Sequence, residues 1–304
     1  MNKVIDFCRQ RQIPYETDAS LARCCTFRIG GSASCLIRPR SADEFCDLLV
    51  FFRRTEQRFR VIGRGSNLLF SDRHIDFPIV CTTQMTDLAY SDGSWRAACG
   101  VSLRQLILTA AGQGFGGLEE LYGIPGTVGG AVFMNAGAYG NEICRYLSRV
   151  RCFDFESGER RVLAKDELGF AYRTSVLQAR RLYLLDADFA LPEANPASVR
   201  DAIRAVTRKR TASQPLGEPS AGSVFKRTER GAAWQLIDGV GLRGYRIGGA
   251  AFSELHAGFI VNRGGATAED VLTLIGEARK RVAEKYGVGL ACEPEFIEEE
   301  FSSS

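Results

Sequence analysis

Histidine is nearly absent from this chain: its 304 residues include two, His74 and His256. That scarcity excludes a metal centre built on imidazoles, and equally a Ser-His-Asp or Cys-His nucleophile machine. His74 falls in SDRHID, which reads as a surface turn, and His256 in SELHAG, which reads as structural. Lysine is scarce too, occurring only at 3, 165, 209, 226, 280 and 285, so arginine carries most of the positive charge. The net charge of +3 is too small to point to a nucleic-acid partner. None of the ten cysteines is spaced as CxxC; they read as reduced, mostly buried small hydrophobes. Long apolar runs are missing as well. The opening MNKVIDFCRQRQIPYE has no core of signal-peptide length, and no later segment reads as a bilayer span. A cytoplasmic protein without membrane insertion and without a metal site is expected. Its chemistry must rest on Arg, Lys, Glu, Ser or a borrowed cofactor.

What the chain does have is glycine in an unusual setting. Gly116 to Gly140, GGLEELYGIPGTVGGAVFMNAGAYG, holds eight glycines in 25 residues, interleaved with Leu, Ile, Val, Phe and Met rather than with serines and charges. Glycine among apolar residues marks backbone that is buried and closely approached. Two readings follow. The stretch is a tight helix–strand packing corner, or its backbone N–H groups meet an anionic ligand such as a pyrophosphate.

Along the chain, strands are expected at 35–38, 59–62, 79–82, 95–99 and 182–185, with a hairpin of 150–153 and 161–163 turned at Glu156-Ser-Gly158. Helices are expected after the capping pairs Ser41/Glu44 and Ser102/Gln105, and after Asn195-Pro196. The 211–220 segment, with two prolines and no periodicity, reads as a linker. Beyond it come a strand at 223–227, a short helix at 232–238, a strand at 259–262, a helix from Thr267 to before Gly287, and a last strand at 290–297. This alternation gives an α+β or mixed α/β protein. Gly63-Arg64-Gly65-Ser66-Asn67 follows a strand but is neither GxGxxG nor a P-loop.

Three polar clusters could carry chemistry. Arg173, in FAYRTS, is either a surface arginine or a fork donor for a carboxylate or enolate. Ser223, in AGSVFK, is either a strand hydroxyl or a proton donor needing nearby positive charge. Simple pleating would put Arg227, rather than Lys226, on its face. Glu293 and Glu295 flank Pro294 and share a face, or begin an acidic tail that continues through Glu298, Glu299 and Glu300.

Together these stretches resemble the UDP-N-acetylenolpyruvoylglucosamine reductases (MurB). The resemblance runs in order through Thr26–Gly31, Gly63–Leu69, Gly123–Ala131, Met134–Gly140, Tyr172–Ser175, Ala221–Lys226, Gly248-Gly-Ala, Ser253–Asn262 and Glu293–Phe296. It implies two PCMH-type FAD-binding subdomains, 1–84 and 85–210, and a C-terminal α/β substrate-binding domain, 211–304, of the shorter subtype. It implies non-covalent FAD held by Gly63, Arg64, Gly65, Ser66, Asn67, Gly123, Ile124, Pro125, Gly126, Thr127, Gly129, Gly130, Asn135, Ala136 and Gly137. NADPH would be the reductant, and the enolpyruvyl ether of UDP-N-acetylglucosamine the substrate. Arg173 and Glu295 would stabilise an enolate-like species, Ser223 would supply a proton, and Lys226 and Arg227 would contact the substrate. Glu295 can serve only if protonated or sharing a proton, which implies burial. One departure stands out: the family usually has Asn-Pro where Arg227-Thr228 occurs here, and Arg227 could pair with a UDP phosphate instead. The competing expectations are a PCMH-type oxidase with covalently anchored FAD, and a flavin-binding module without catalysis.

Overall fold

The computed structural model describes residues 1–298; Glu299 and Glu300 of the expected acidic tail lie outside the described residues. By its contacts the chain forms two compact units. One comprises Met1–Glu16, Cys35–Arg64 and Phe77–Lys209; the other comprises Thr17–Ser34, Gly65–Asp76 and the chain from Arg210 onward. The change of unit falls between Lys209 and Arg210, and 17–34 and 65–76 group with the C-terminal region. The 211–220 linker is corrected in part. Helix Pro196–Ser213 runs through its first three residues, because Arg, Lys, Ala and Thr continue a good helical sequence until Pro215 stops it.

The first unit contains a parallel pairing and a larger antiparallel sheet. Ile79–Cys81 is the parallel partner of both Leu36-Ile37 and Arg60–Ile62. An antiparallel sheet has the order Glu159–Ala164, Leu147–Asp154, Leu182–Phe189, Ser94–Ala98, Leu88–Ser91. The 150–163 hairpin turns through Gly158 at φ +81°, as its glycine predicts. Helix Ala42–Arg54 buries Phe45, Leu48, Leu49 and Phe52, while helix Leu103–Gly112 buries Leu103, Leu106, Ile107 and Ala110. These side chains join one continuous core with Trp95, Val128, Val150 and Phe189. The Ser41/Glu44 capping box is only half made. Ser41 Oγ accepts the Glu44 N–H at 3.1 Å, but the Glu44 carboxylate is drawn to Arg40 instead.

In the second unit an antiparallel sheet has the order Ser220–Ser223, Phe259–Asn262, Ala250–Phe252, Arg246-Ile247. Helix Ala268–Tyr286 buries Val271, Leu274, Ala278 and Val282. Its capping box is complete: Thr267 Oγ1 accepts the Asp270 N–H, Asp270 Oδ2 accepts the Thr267 N–H, and Gly287 closes the other end at φ +66°. Glu295–Ile297 pairs in parallel with Leu68–Phe70. The last strand is thus shorter than the 290–297 expected, and the strand expected at 223–227 ends at Ser223.

Candidate functional site

The glycine-rich stretch folds into more structure than its composition suggests. Glu119–Leu121 makes one 3-10 turn, Val128–Phe133 a short helix, and Gly137-Ala138 pairs with Asn141-Glu142 across a turn at Tyr139-Gly140. Both turn residues have positive φ, +54° and +86°, which matches a tight hairpin to the right-handed strand twist. Thr127 caps the short helix, its Oγ1 accepting the Gly130 N–H at 3.3 Å.

The packing-corner reading holds at some of these glycines and not at others. A Cβ on Gly129 would lie 3.0 Å from the Cys99 side chain and carbonyl, and one on Gly63 would lie 2.4 Å from Thr127 Oγ1. These two positions are packing corners, and they bring the end of strand Arg60–Ile62 against the Gly126-Thr127 turn. Gly130 is different: it is exposed, and an added Cβ would meet only Thr127 Oγ1, at 3.7 Å. The N–H groups of Val128 and Gly129 donate to Val101 O and Cys99 O, both at 2.8 Å. With the Gly130 N–H held by Thr127, these three amides serve the fold. The expectation that the whole Gly123–Gly130 backbone offers N–H groups to a pyrophosphate is narrowed accordingly. Gly123 and Ile124 are half-buried, Pro125 is exposed, and Gly126 O accepts the Leu103 N–H at 3.1 Å.

Asn135 follows the short helix, fully buried, at φ +42°. Its Nδ2 donates to Glu142 Oε2 at 2.9 Å and to Ala171 O at 3.0 Å, while its Oδ1 is buried with no partner among the described residues. A buried orphan acceptor costs about 1–3 kcal/mol, which a donor on a bound group would recover. Together with the open Gly130, it fits residues built to hold a cofactor. Ala136 is tied at both its amide and its carbonyl, to Ala131 O and to the Ile143 N–H.

Arg173 lies in the same unit. Ala171 and Thr174 exchange N–H···O bonds of 3.1 Å, closing a four-residue turn in which Arg173 is the third residue. Its φ is +56°, a conformation for which such a turn normally selects glycine or asparagine. The side chain is half-buried, donates from Nη2 to Gly137 O at 3.1 Å, and lies 5.0 Å from the centre of the Tyr172 ring. A guanidinium aimed from a strained backbone is a functional signature when its surroundings over-determine it. The sequence held no sign of this strain, because arginine is not a residue that announces positive φ.

In the second unit the backbone gathers three segments the sequence left apart. Gly65, at φ +60°, has no room for a Cβ, which would lie 2.3 Å from Cys24 O. Beyond Gly65 and Ser66, Asn67 Nδ2 donates to Glu293 O at 3.1 Å, and Asn67 O accepts the Glu295 N–H at 3.0 Å. The Glu293 N–H in turn donates to Val224 O at 2.8 Å, and the Lys226 N–H to Ala291 O at 2.9 Å. The Asn67 loop, the Ser223–Lys226 segment and the Glu293–Glu295 segment are therefore stitched side by side. Gly222, at φ +80°, sits in an irregularity of register between Ser220 and Ser223.

The strand ends at Ser223 and the chain bends at Val224, which corrects the pleating argument. Val224 and Phe225 are consecutive and both buried, so strict alternation does not carry through to Arg227, which is exposed. Ser223, Lys226 and Glu295 are half-buried, and Arg64 is exposed. His256 keeps to a structural part: its Nδ1 accepts the Gly258 N–H at 3.1 Å, its ring lies between Trp234 and Phe259, and burial lowers its pKa. Among the described residues no helix is long and apolar enough to cross a membrane, and no cluster of His, Cys, Asp and Glu could hold a metal.

Comparison with known proteins matches two family models to different parts of the chain. The FAD binding domain family matches residues 33–164, and the C-terminal domain of UDP-N-acetylenolpyruvoylglucosamine reductase matches residues 214–297. The UDP-N-acetylenolpyruvoylglucosamine reductase of Caldicellulosiruptor saccharolyticus is 41% identical over 289 residues, 94% of this chain and 93% of its own. That of Carboxydothermus hydrogenoformans is 41% identical over 287 residues, 94% of this chain and 95% of its own. The crystal structure of UDP-N-acetylenolpyruvylglucosamine reductase (MurB) from Thermus caldophilus superposes with a TM-score of 0.77 at 33% identity, covering 93% of this chain and 98% of that one.

Proposed function

Because this chain belongs to the UDP-N-acetylenolpyruvoylglucosamine reductase family, whose members are FAD-binding oxidoreductases, we propose that it reduces the enolpyruvyl ether of UDP-N-acetylglucosamine to UDP-N-acetylmuramate. NADPH would be the reductant, the pathway peptidoglycan precursor synthesis, and the location the cytoplasm. In this reading 1–84 and 85–210 serve FAD and 211–304 serves the substrate, with 17–34 and 65–76 packed in the substrate unit. FAD, when bound, supplies the hydride chemistry between NADPH and the enolpyruvyl double bond.

The chain's own residues have the remaining tasks. As hydride reaches the methylene carbon, charge builds toward the substrate carboxylate. Arg173 would stabilise that charge through its guanidinium fork. Glu295 would share the task in its protonated form. Ser223 Oγ would give its proton to the carbon that bears the carboxylate, and recover one from solvent. Lys226 and Arg227 would bind the UDP phosphates, and the Asn67 and Asn135 regions would contact FAD. The observation that carries the reading is the backbone stitching of the Asn67 loop to the Glu293–Glu295 and Ser223–Lys226 segments. It joins the proposed cofactor loop, acid and proton donor in a single unit.

Substitution of Arg227 by alanine tests the substrate assignment. A raised KM for the UDP substrate with kcat little changed is expected; an unchanged KM refutes the phosphate contact. Denaturation tests the cofactor assignment, since non-covalent FAD is released into solution whereas a covalently anchored flavin stays with the chain.

A further inference from the structure

The turn carrying Arg173 is held by more side-chain bonds than a four-residue turn requires. Asn135 Nδ2 reaches Ala171 O from the buried side, at 3.0 Å. Gln178 Nε2 reaches Arg173 O itself at 3.0 Å from the solvent side, and also Phe133 O at 2.7 Å. Ser175 Oγ, nearly fully buried, donates to the same Phe133 carbonyl at 2.7 Å. The circuit closes through the hairpin. Arg173 Nη2 donates to Gly137 O, Gly137 pairs with Glu142, and the Glu142 carboxylate accepts the other Asn135 amide hydrogen.

A positive φ at arginine costs on the order of 1–2 kcal/mol, so the turn needs support from outside itself. The backbone would relax toward a negative φ if the Ala171 and Arg173 carbonyls were released, and the guanidinium would swing with it. Asn135 is suited to one corner, because asparagine tolerates the φ of +42° found there and offers two amide hydrogens to two acceptors. Gln178 is suited to the other, one helical turn after the capping residue Ser175, where its amide reaches both the turn and the end of the preceding helix.

We propose that Asn135 and Gln178 are positioning residues for Arg173, fixing the strained turn from its two sides so that the guanidinium is aimed before substrate arrives. The proposal deepens the reading in which Arg173 stabilises charge on the substrate, and it rests on that reading. It gives Asn135 a task separate from any cofactor contact.

The test is rapid-mixing kinetics on the holoenzyme with Gln178→Ala, Asn135→Gly, Arg173→Ala and the double variant Gln178→Ala/Arg173→Ala. Glycine at 135 preserves the backbone conformation while removing the amide, and bound FAD is quantified in each protein. Both positioning variants are expected to slow substrate-dependent recovery of the flavin absorbance by roughly 10–100-fold. In Gln178→Ala, which touches no proposed cofactor contact, bleaching by NADPH should stay near the wild-type rate. In the Arg173→Ala background the Gln178 substitution should have no further effect. A role confined to stability would instead lower the melting temperature and slow both phases alike, with effects that multiply in the double variant; that outcome overturns the proposal. So does wild-type recovery in both positioning variants while Arg173→Ala is slow. Should Arg173→Ala itself recover at the wild-type rate, the role assigned to Arg173 fails, and the positioning role with it.

Discussion

Arg173 donates to Gly137 O at 3.1 Å from a backbone held at φ +56°. With the bond from Asn135 Nδ2 to Ala171 O, it joins two motifs whose spacing in sequence gives no hint of contact, the Met134–Gly140 run and the FAYRTS turn. Gly137 has no spare room for a side chain, since a Cβ there would lie 2.8 Å from Asn141 O and 3.3 Å from the Arg173 guanidinium.

Arg173 should therefore not be replaceable by lysine. A lysine ammonium is a point charge on a flexible stem and does not reproduce the planar fork. Arg173→Lys and Arg173→Ala are each expected to lower kcat by about 10²–10³-fold, the cost of removing one preorganised donor to a developing anion. Steady-state kinetics with saturating substrate checks this, and a lysine variant of wild-type kcat would refute it.

Ser223→Ala removes the proposed proton donor without disturbing the Val224 and Lys226 backbone bonds. The expected loss in turnover is about 10²–10⁴-fold, with binding of the UDP substrate retained. Substrate titration in equilibrium with the oxidised protein, alongside turnover, separates these two effects. Retention of full turnover would assign the proton to another group.

Gly130 and Gly129 should respond oppositely to alanine. At Gly130 there is room for the Cβ, and alanine is favoured in a helix by about 1 kcal/mol, so the apoprotein should gain stability. Its affinity for FAD should nevertheless fall if the cofactor is held here as proposed, because alanine fills the open space at this glycine. At Gly129 the Cβ would press on Cys99, and stability itself should fall. Melting temperature and FAD titration on both variants decide the matter.

Asp188 anchors the central sheet of the first unit. Its nearly inaccessible carboxylate accepts from Arg96, from Arg149, and from both terminal nitrogens of Arg151 at 3.0 and 2.8 Å. Burial alone would raise its pKa, but hydrogen bonds from Arg151, Arg149 and Arg96 outweigh burial and lower it from 3.8 to about 2. A depressed carboxylate adds stability above its unfolded value and loses it as pH falls, here between about 4 and about 2, a contribution of roughly 2 kcal/mol. Asp188→Asn should cost about 1.5–3 kcal/mol at neutral pH, because its charge-assisted hydrogen bonds are lost while Arg96 and Arg149 stay half-exposed and Arg151 keeps Asp186. Its stability should then change less than the wild type's across that acid window, as denaturant midpoints at several pH values would reveal.

Much of this was legible in the sequence, and the exceptions have physical causes. The long helices announced themselves through caps and periodic apolar faces, as at Thr267/Asp270 and Leu103–Ala110. Helix Val128–Phe133 did not, because two glycines lower its intrinsic propensity and only the Thr127 cap and tertiary packing hold it. The last strand was read as too long because Cys292 makes only an isolated bridge to Phe225 and the chain bends at Glu293-Pro294 before Glu295. The segments 17–34 and 65–76 gave no sign that they fold with the C-terminal region, since such grouping depends on contacts far apart in sequence. The proposed site residues rest on motif resemblance rather than on physics. What motif could not give was the positive φ of Arg173, the orphan Oδ1 of Asn135, or the three-arginine setting of Asp188.

The central claim is tested most directly by one anaerobic experiment on the FAD-loaded protein: reduction by NADPH, removal of excess nucleotide, then addition of enolpyruvyl-UDP-N-acetylglucosamine. The account predicts that the flavin absorbance bleached by NADPH returns on adding that compound, with UDP-N-acetylmuramate formed in equal amount. Absorbance that stays bleached with the enolpyruvyl compound, yet returns rapidly with oxygen alone, would contradict it.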